Sequence, residues 1–377
     1  MNRSRSRTEE CPGTGSDGGR ATPLLRRIRA AASPRNRSLK EVGAAIVAIG
    51  VTLTLLALGS LARTPGMHTV QAAPCPSTVP RAPVTRRLGF SGRRALEQVA
   101  RVVDFGPRTV GSTGHQKAVA YILATLRGLG LHPVTINFAT RDPEGHAEPM
   151  TDITVSIRGT VPSPPLLPPT APRTASDANA RADTIVLATH YDTKRFPFRF
   201  VGANDGGSGT GALLEFARVF TRRPARHRVV LVFFDGEEAF DHWKGRDHTY
   251  GSRYLARLWQ AEHVLPRVRA LILLDMIGYS TPCFCQDVNS SPWLVHRIWH
   301  EAKRLGATCF EDRDIGIEDD HTPFVKLGVQ AADVINFEFG PHGTNRYWHT
   351  PQDTLDKLSA KSMRIVGRVV EATVRDL

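Results

Sequence analysis

Six ionisable side chains follow directly on short apolar runs, and their types suit metal and proton chemistry. Thr184–Thr189 (TIVLAT) leads into His190-Tyr191-Asp192, Val229–Phe234 (VVLVFF) into Asp235-Gly236-Glu237-Glu238, and Leu271–Leu274 (LILL) into Asp275. A charged group at the edge of a dry core needs a partner or a metal. In open parallel sheets the crevice past the carboxyl ends of the strands is the default ligand site. Two further residues belong with this set. Asp205 lies in the glycine-rich turn Ala203-Asn204-Asp205-Gly206-Gly207-Ser208-Gly209, where the backbone can fold tightly and turn the carboxylate toward the strand ends. His349 lies in the aromatic loop Tyr347-Trp348-His349-Thr350-Pro351. Asp205, Glu238 and His349 supply three oxygen and nitrogen ligands for one zinc ion and leave the fourth position of a catalytic site open. Glu237, pointing differently from its neighbour, would stand beside that open position and move a proton. Asp275 and Asp319 bring like charge near it, which raises a carboxyl pKa.

Each piece also has a plainer reading. Asp235–Glu238 taken alone is a solvated turn, and Glu318–His321 (EDDH) is an acidic N-cap for a helix starting near Thr322. Trp243 and Trp348 are then core or surface aromatics. Their joint placement along one series of strands is what favours a site.

The elements that must position these residues read as an α/β domain. Strands are expected at Val134–Ala139, Ile153–Arg158, Thr184–Thr189, Val229–Phe234, Leu271–Leu274 and Ala331–Phe337. The two middle apolar runs are continuous enough to be central strands covered on both faces. Helical patterns fall at Gly92–Val103, Thr113–Gly128, Gly209–Phe220, Gly251–Gln260, Pro292–Leu305, Thr322–Leu327 and about Ala360–Asp376. That alternation predicts a mixed, mostly parallel twisted sheet flanked by helices on both faces. The Pro-rich run that begins at Val161 reads as an exposed loop between strands.

The first 85 residues are different in kind. Residues 1–40 hold ten Arg and Lys against three acids, so +7 of the chain's net +13 resides in a Ser-, Gly- and Pro-rich tail that cannot build a core. The rest is only mildly basic and has no basic stripe interleaved with aromatics, which argues against nucleic acid as a partner. After this tail (residues 1–41), Val42–Ala62 runs for twenty-one residues without a charge, long enough to span a bilayer as one transmembrane helix. The arginines before it predict a cytoplasmic N-terminus and an extracytoplasmic catalytic part. A cleavable signal peptide with Val70–Ala72 as the cut site is the competing reading, and the length of the apolar run favours the uncleaved anchor. Residues 63–85 read as a Pro-rich linker, and 86–377 as the catalytic domain. Of five cysteines, Cys11 and Cys75 precede that domain, and Cys283, Cys285 and Cys309 leave room for one disulfide.

The motifs HYDTK (His190–Lys194), FVGANDGGSG (Phe200–Gly209), FFDGEEAF (Phe233–Phe240), LLDMIG (Leu273–Gly278), IEDDHTPF (Ile317–Phe324) and WHTPQDT (Trp348–Thr354) resemble the zinc aminopeptidases of the bacterial leucyl aminopeptidase type. With GEEAFDHWKGRDHTYGSR (Gly236–Arg253), the chain more closely resembles the animal-type glutaminyl-peptide cyclotransferases that share that fold. The resemblance implies Asp205, Glu238 and His349 as zinc ligands and Glu237 as the acid/base. It implies Asp275 and Asp319 as acids hydrogen-bonded around Glu237, and Trp243 and Trp348 as pocket aromatics. Peptide or protein N-termini are the implied substrates. Thr189 and Thr210 stand where many animal cyclases carry a cysteine pair, and Asp333 where they carry a loop histidine. The aminopeptidase alternative would add His190 and Asp275 around a second zinc bridged by Asp205. A non-catalytic binding ectodomain is the third expectation, and an intact Glu237 with all three ligands argues against it.

Overall fold

The computed structural model describes residues 89–163 and 182–377. The expected tail 1–41, span 42–62 and linker 63–85, and the Pro-rich run from residue 164 on, lie outside the described residues. Among those described, no helix is long and apolar enough to cross a membrane.

Six strands form the main sheet: β1 (Val134–Arg141), β2 (Ala147–Ile157), β3 (Thr184–His190), β4 (Arg228–Phe234), β5 (Val268–Asp275) and β8 (Ala331–Ile335). Their order is β1-β2-β4-β3-β5-β8, antiparallel at the β1/β2 and β2/β4 pairs and parallel from β4 through β8. Every residue of β3 and β4 is buried. Their alternate side chains divide between two cores. Ile185, Leu187, Val229, Leu231 and Phe233 face the larger one, and Val186, Ala188, Val230, Val232 and Phe234 the smaller. A strand buried on both faces has no polar side to show, which is why these runs read as continuous apolar sequence.

The larger core is covered by α1 (Gly92–Val103), α2 (Thr113–Gly128), α3 (Gly207–Arg222), α5 (Pro292–Arg304) and α7 (Ala360–Asp376). The smaller is closed by α4 (Tyr250–Ala261) and α6 (Thr322–Val325) through Leu255, Trp259 and Phe324. Ser91, Ser112 and Ser359 accept hydrogen bonds from the first-turn N–H groups of α1, α2 and α7, so three helix starts are fixed by their own sequence.

From β3 the chain passes through α3 to β4 on one side of β3, then through α4 to β5 on the other. The sheet order therefore reverses at β3, and a crevice opens past the carboxyl ends of β3, β4 and β5. The expected architecture is the one observed, with differences at element ends. β8 stops at Ile335, two residues short of expectation, and α6 is a single turn. A second, two-stranded parallel sheet of β6 (Phe284–Asp287) and β7 (Phe310–Ile315) was not expected. Its sequences, FCQD and FEDRDI, are short and charged and carry no apolar alternation. Phe284 stacks on Phe310 across it, centroids 4.9 Å apart. The disulfide allowed for among Cys283, Cys285 and Cys309 is not formed: all three are free thiols.

Candidate active site

The Asp205 turn is shaped by glycines. Gly206 has φ +72°, and a Cβ there would lie 2.6 Å from the Asp192 carbonyl oxygen. At Gly209, inside α3, a Cβ would come within 2.0 Å of Thr189 Oγ1 and 2.4 Å of the Leu274 carbonyl. The start of α3 thus rests directly on the ends of β3 and β5, which brings Asp205 over the crevice. The Asp205 backbone is held as well. Arg108, fully buried, donates to the carbonyls of Tyr191 (2.8 Å), Val201 (2.6 Å) and Gly202 (3.0 Å), and more weakly to that of Asp205 (3.4 Å). The Asp353 carboxylate accepts from the N–H groups of Asn204 (2.7 Å) and Asp205 (3.1 Å).

The Glu237-Glu238 pair leaves β4 through Gly236, at φ +66°. Both backbone N–H groups donate to Asp192, at 3.2 and 3.3 Å, so one buried carboxylate sets the orientation of two others. Behind the turn, Asp235 accepts from Thr151 N–H at 2.7 Å and pairs with His115 Nε2 at 2.8 Å. His349 has φ +56°, an uncommon conformation for a residue with a side chain. Its ring is sandwiched by aromatics: Trp348 stacks on it at 3.9 Å, while Phe196 and Phe200 meet it edge-on at 5.3 and 5.9 Å.

These supports bring the expected ligands together. His349 Nε2 is 3.2 Å from Glu238 Oε1 and 3.4 Å from Asp205 Oδ2. One donor atom from each of the three lies within 4.8 Å of the other two. Asp205 Oδ2 and Glu238 Oε2 are buried without any hydrogen-bond partner. Orphaned carboxylate oxygens beside an imidazole nitrogen are what a cation site offers, so the residues fit zinc. Burial works to lower the His349 pKa, but the Glu238 and Asp205 carboxylates outweigh it and hold the ring at about 10. Burial also works to raise Asp205, and the nearby His190 and His349 rings overcome it and keep that carboxyl well below its usual range.

Beside this trio stands a second. His190 Nε2 is 3.2 Å from Asp205 Oδ1 and 3.2 Å from Asp275 Oδ1, so Asp205 bridges both groups. His190 Nδ1 faces Asp192 at 3.5 Å and Glu237 Oε2 at 3.7 Å. Glu237 is pushed well above the ordinary carboxyl range by burial first, with Asp319, Glu238 and Asp320 adding to the effect and His190 opposing it. Asp319 is raised in the same way by burial and by Asp275 and Asp320. Like carboxylates out of water resist ionising together, which is what raises both groups.

Glu237, Asp275, Asp319, Trp243 and Trp348 all line one cavity of about 270 Å³, and Asp205, Glu238 and His349 close its inner end. Phe337 packs against Trp348, tilted, with centroids 5.0 Å apart, and forms another wall. Two larger grooves, of about 940 and 710 Å³, contain none of these residues. The acidic N-cap reading of Glu318–His321 does not hold: His321 precedes α6 without a side-chain cap, and Asp319 faces the cavity. Sequence reasoning missed Arg108, Asp353, Phe196 and Phe200, and it gave Asp192, noted after the first apolar run, no role. Asp192 and Asp353 sit inside the motifs HYDTK and WHTPQDT, whereas Arg108 in GPRTVGS has no local signal.

Fold and cluster together define a class: an α/β enzyme with a carboxylate–histidine cage at the topological switch point of its sheet, fit for a metal. The family model described as Peptidase family M28 matches residues 173–374. This chain belongs to peptidase family M28. Glutaminyl-peptide cyclotransferase of Drosophila melanogaster is 30% identical over 294 residues, covering 70% of this chain and 76% of that protein. The crystal structure of a glutaminyl cyclase from an Acidobacteriales bacterium superposes with a TM-score of 0.68 at 33% identity, over 81% of this chain and 98% of that one. A Zn-dependent exopeptidase from Parabacteroides distasonis shares the fold at 23% identity, with a TM-score of 0.62 over 76% of this chain and 99% of its own.

Proposed function

We propose that this chain is a zinc-dependent glutaminyl-peptide cyclotransferase, which converts the N-terminal glutamine of peptides or proteins to pyroglutamate and releases ammonia. The observation that carries the reading is a buried Glu237, its carboxyl pKa raised, in one small cavity with the Asp205–Glu238–His349 cage, in a chain similar to named cyclotransferases. A single zinc held by Asp205, Glu238 and His349 would act as a Lewis acid on the side-chain carbonyl oxygen of the substrate glutamine.

The chain's own residues do the rest. The cavity is of side-chain size, and Trp243, Trp348 and Phe337 give it apolar walls that exclude water around the glutamine methylenes. Glu237 takes a proton from the substrate's α-amine as its nitrogen bonds to the side-chain carbonyl carbon. The bond from that carbon to the amide nitrogen then breaks, and Glu237 returns the proton to the departing ammonia. No water is consumed, and the nucleophile is already tethered to its target, so proximity supplies much of the acceleration. Burial first, and then the Asp319 carboxylate, raise Glu237's pKa toward what both halves of that transfer need. The same reading keeps residues 86–377 outside the cytoplasm behind an N-terminal anchor at 42–62.

A second reading rests on the His190–Asp205–Asp275 trio, whose donor atoms also lie within 4.8 Å of one another. Two bridged metals there would suit an aminopeptidase, with Glu237 activating a water against the first peptide bond. Peptides beginning with Gln, Leu and Ala, offered to the full chain and followed by mass, separate the two. The cyclase reading expects Gln peptides to lose one ammonia and the others to stay intact; shortened peptides with free amino acids would replace it with the peptidase.

A further inference from the structure

The described residues hold a third cluster of metal-ligating atoms, remote from the strand-end cage. Cys283 precedes β6 and Cys285 lies within it; two residues apart on extended backbone, they project to the same face. The Cys283 N–H reaches Asn336 Oδ1 at 3.4 Å, which ties this strand to the segment that follows β8. Glu338 lies on that segment. One donor atom from each of Cys283, Cys285 and Glu338 lies within 4.8 Å of the others. In a tetrahedral zinc site, sulfur and oxygen ligands sit roughly 3.4–3.8 Å from each other, so closing this set asks only for small side-chain movements.

One neighbour completes the chemistry. Arg313, on β7, donates through Nη2 to both Cys283 Sγ (3.2 Å) and Glu338 Oε1 (2.5 Å), and through Nε to Glu311 Oε2 at 3.4 Å. The guanidinium thus supplies the positive charge these donors call for. Its side chain is half exposed, at 51%, and can turn out to solvent when another cation takes its place.

We propose that Cys283, Cys285 and Glu338 form a second cation site for a thiophilic divalent metal of the zinc type. The site is structural rather than catalytic: none of its three ligands lines the catalytic cavity. It clips the start of β6 to the segment Asn336–Glu338. Phe337 in that segment packs against Trp348 and lines the catalytic cavity, so the clip holds one cavity wall.

Cadmium ion is a suitable probe, because the strand-end cage contains no sulfur and only cysteine ligands give the ultraviolet thiolate-to-cadmium band. The full chain, reduced and then freed of reductant, is titrated with cadmium chloride. We expect a saturable band that persists in His349→Ala, is lost in Cys283→Ser/Cys285→Ser, and needs about tenfold more metal or beyond in Glu338→Ala. The metal-free unfolding midpoint of Glu338→Ala, unchanged from wild type, separates ligand loss from misfolding. Absence of the band, a band equally strong in the double serine variant, or thiol titration showing Cys283 linked to Cys285 as a disulfide would overturn the proposal.

Discussion

Glu237 and Glu238 are adjacent, equally buried carboxylates with the same backbone clamp, yet their surroundings assign them different work. Glu238 faces His349 and Asp205, while Glu237 faces His190 and the raised carboxyl of Asp319. Replacing Glu237 with Gln keeps the shape and removes the proton carrier. Turnover should fall by about 10²–10⁴-fold, the usual worth of a general acid/base, while zinc content by elemental analysis stays at the wild-type level. Near-normal turnover in that variant would remove Glu237 from the mechanism. At this scale the sequence was informative wherever a residue's type is rare in its setting: acids directly after apolar strands, or a histidine between aromatics. It was silent on Arg108, because an arginine that binds four backbone carbonyls looks in sequence like any other arginine. It was equally silent on Phe196 and Phe200, whose edge-on contact with His349 depends on how the 193–205 loop folds.

The elements follow the same logic. β3, β4 and β5 were legible because a strand with two cores has no solvent face and reads as unbroken apolar sequence. β6 and β7 were not, since a two-stranded edge sheet with an aromatic pair across it carries no pattern that differs from a polar loop. The glycine-rich turn was legible as a tight turn, but its further task was not: Gly209 lets α3 settle on Thr189 and Leu274. A methyl group there has to push the helix off the strands or displace Thr189. Gly209→Ala should therefore lose about 1–3 kcal/mol of stability in urea unfolding, as overpacked cores do. Because Asp205 rides on the same turn, zinc affinity should fall with it. A variant of wild-type stability and zinc affinity would show that the close approach is not required.

On the scale of the whole molecule, the described fold gathers at least nine buried carboxylates around the strand ends, with fewer buried basic groups, among them His190, His115, His321 and Arg108, for compensation. Such an arrangement is costly unless protons or cations neutralise it. Metal bound to the folded state alone also stabilises it by mass action, by about 4 kcal/mol at a thousandfold excess over Kd. Chelation should accordingly abolish turnover and lower the thermal midpoint by several degrees, and added zinc should restore both. A midpoint indifferent to chelator would detach the cage from any metal.

The central claim is that the nitrogen leaving the substrate is the glutamine side-chain amide and the nucleophile is the peptide's own α-amine. A Gln-initiated peptide carrying heavy nitrogen in that amide tests it in one mass measurement on the full chain with zinc. The account predicts all of the label in released ammonia and a peptide of unchanged residue count, lighter by one ammonia. Label recovered in free glutamine beside a peptide one residue shorter would contradict it.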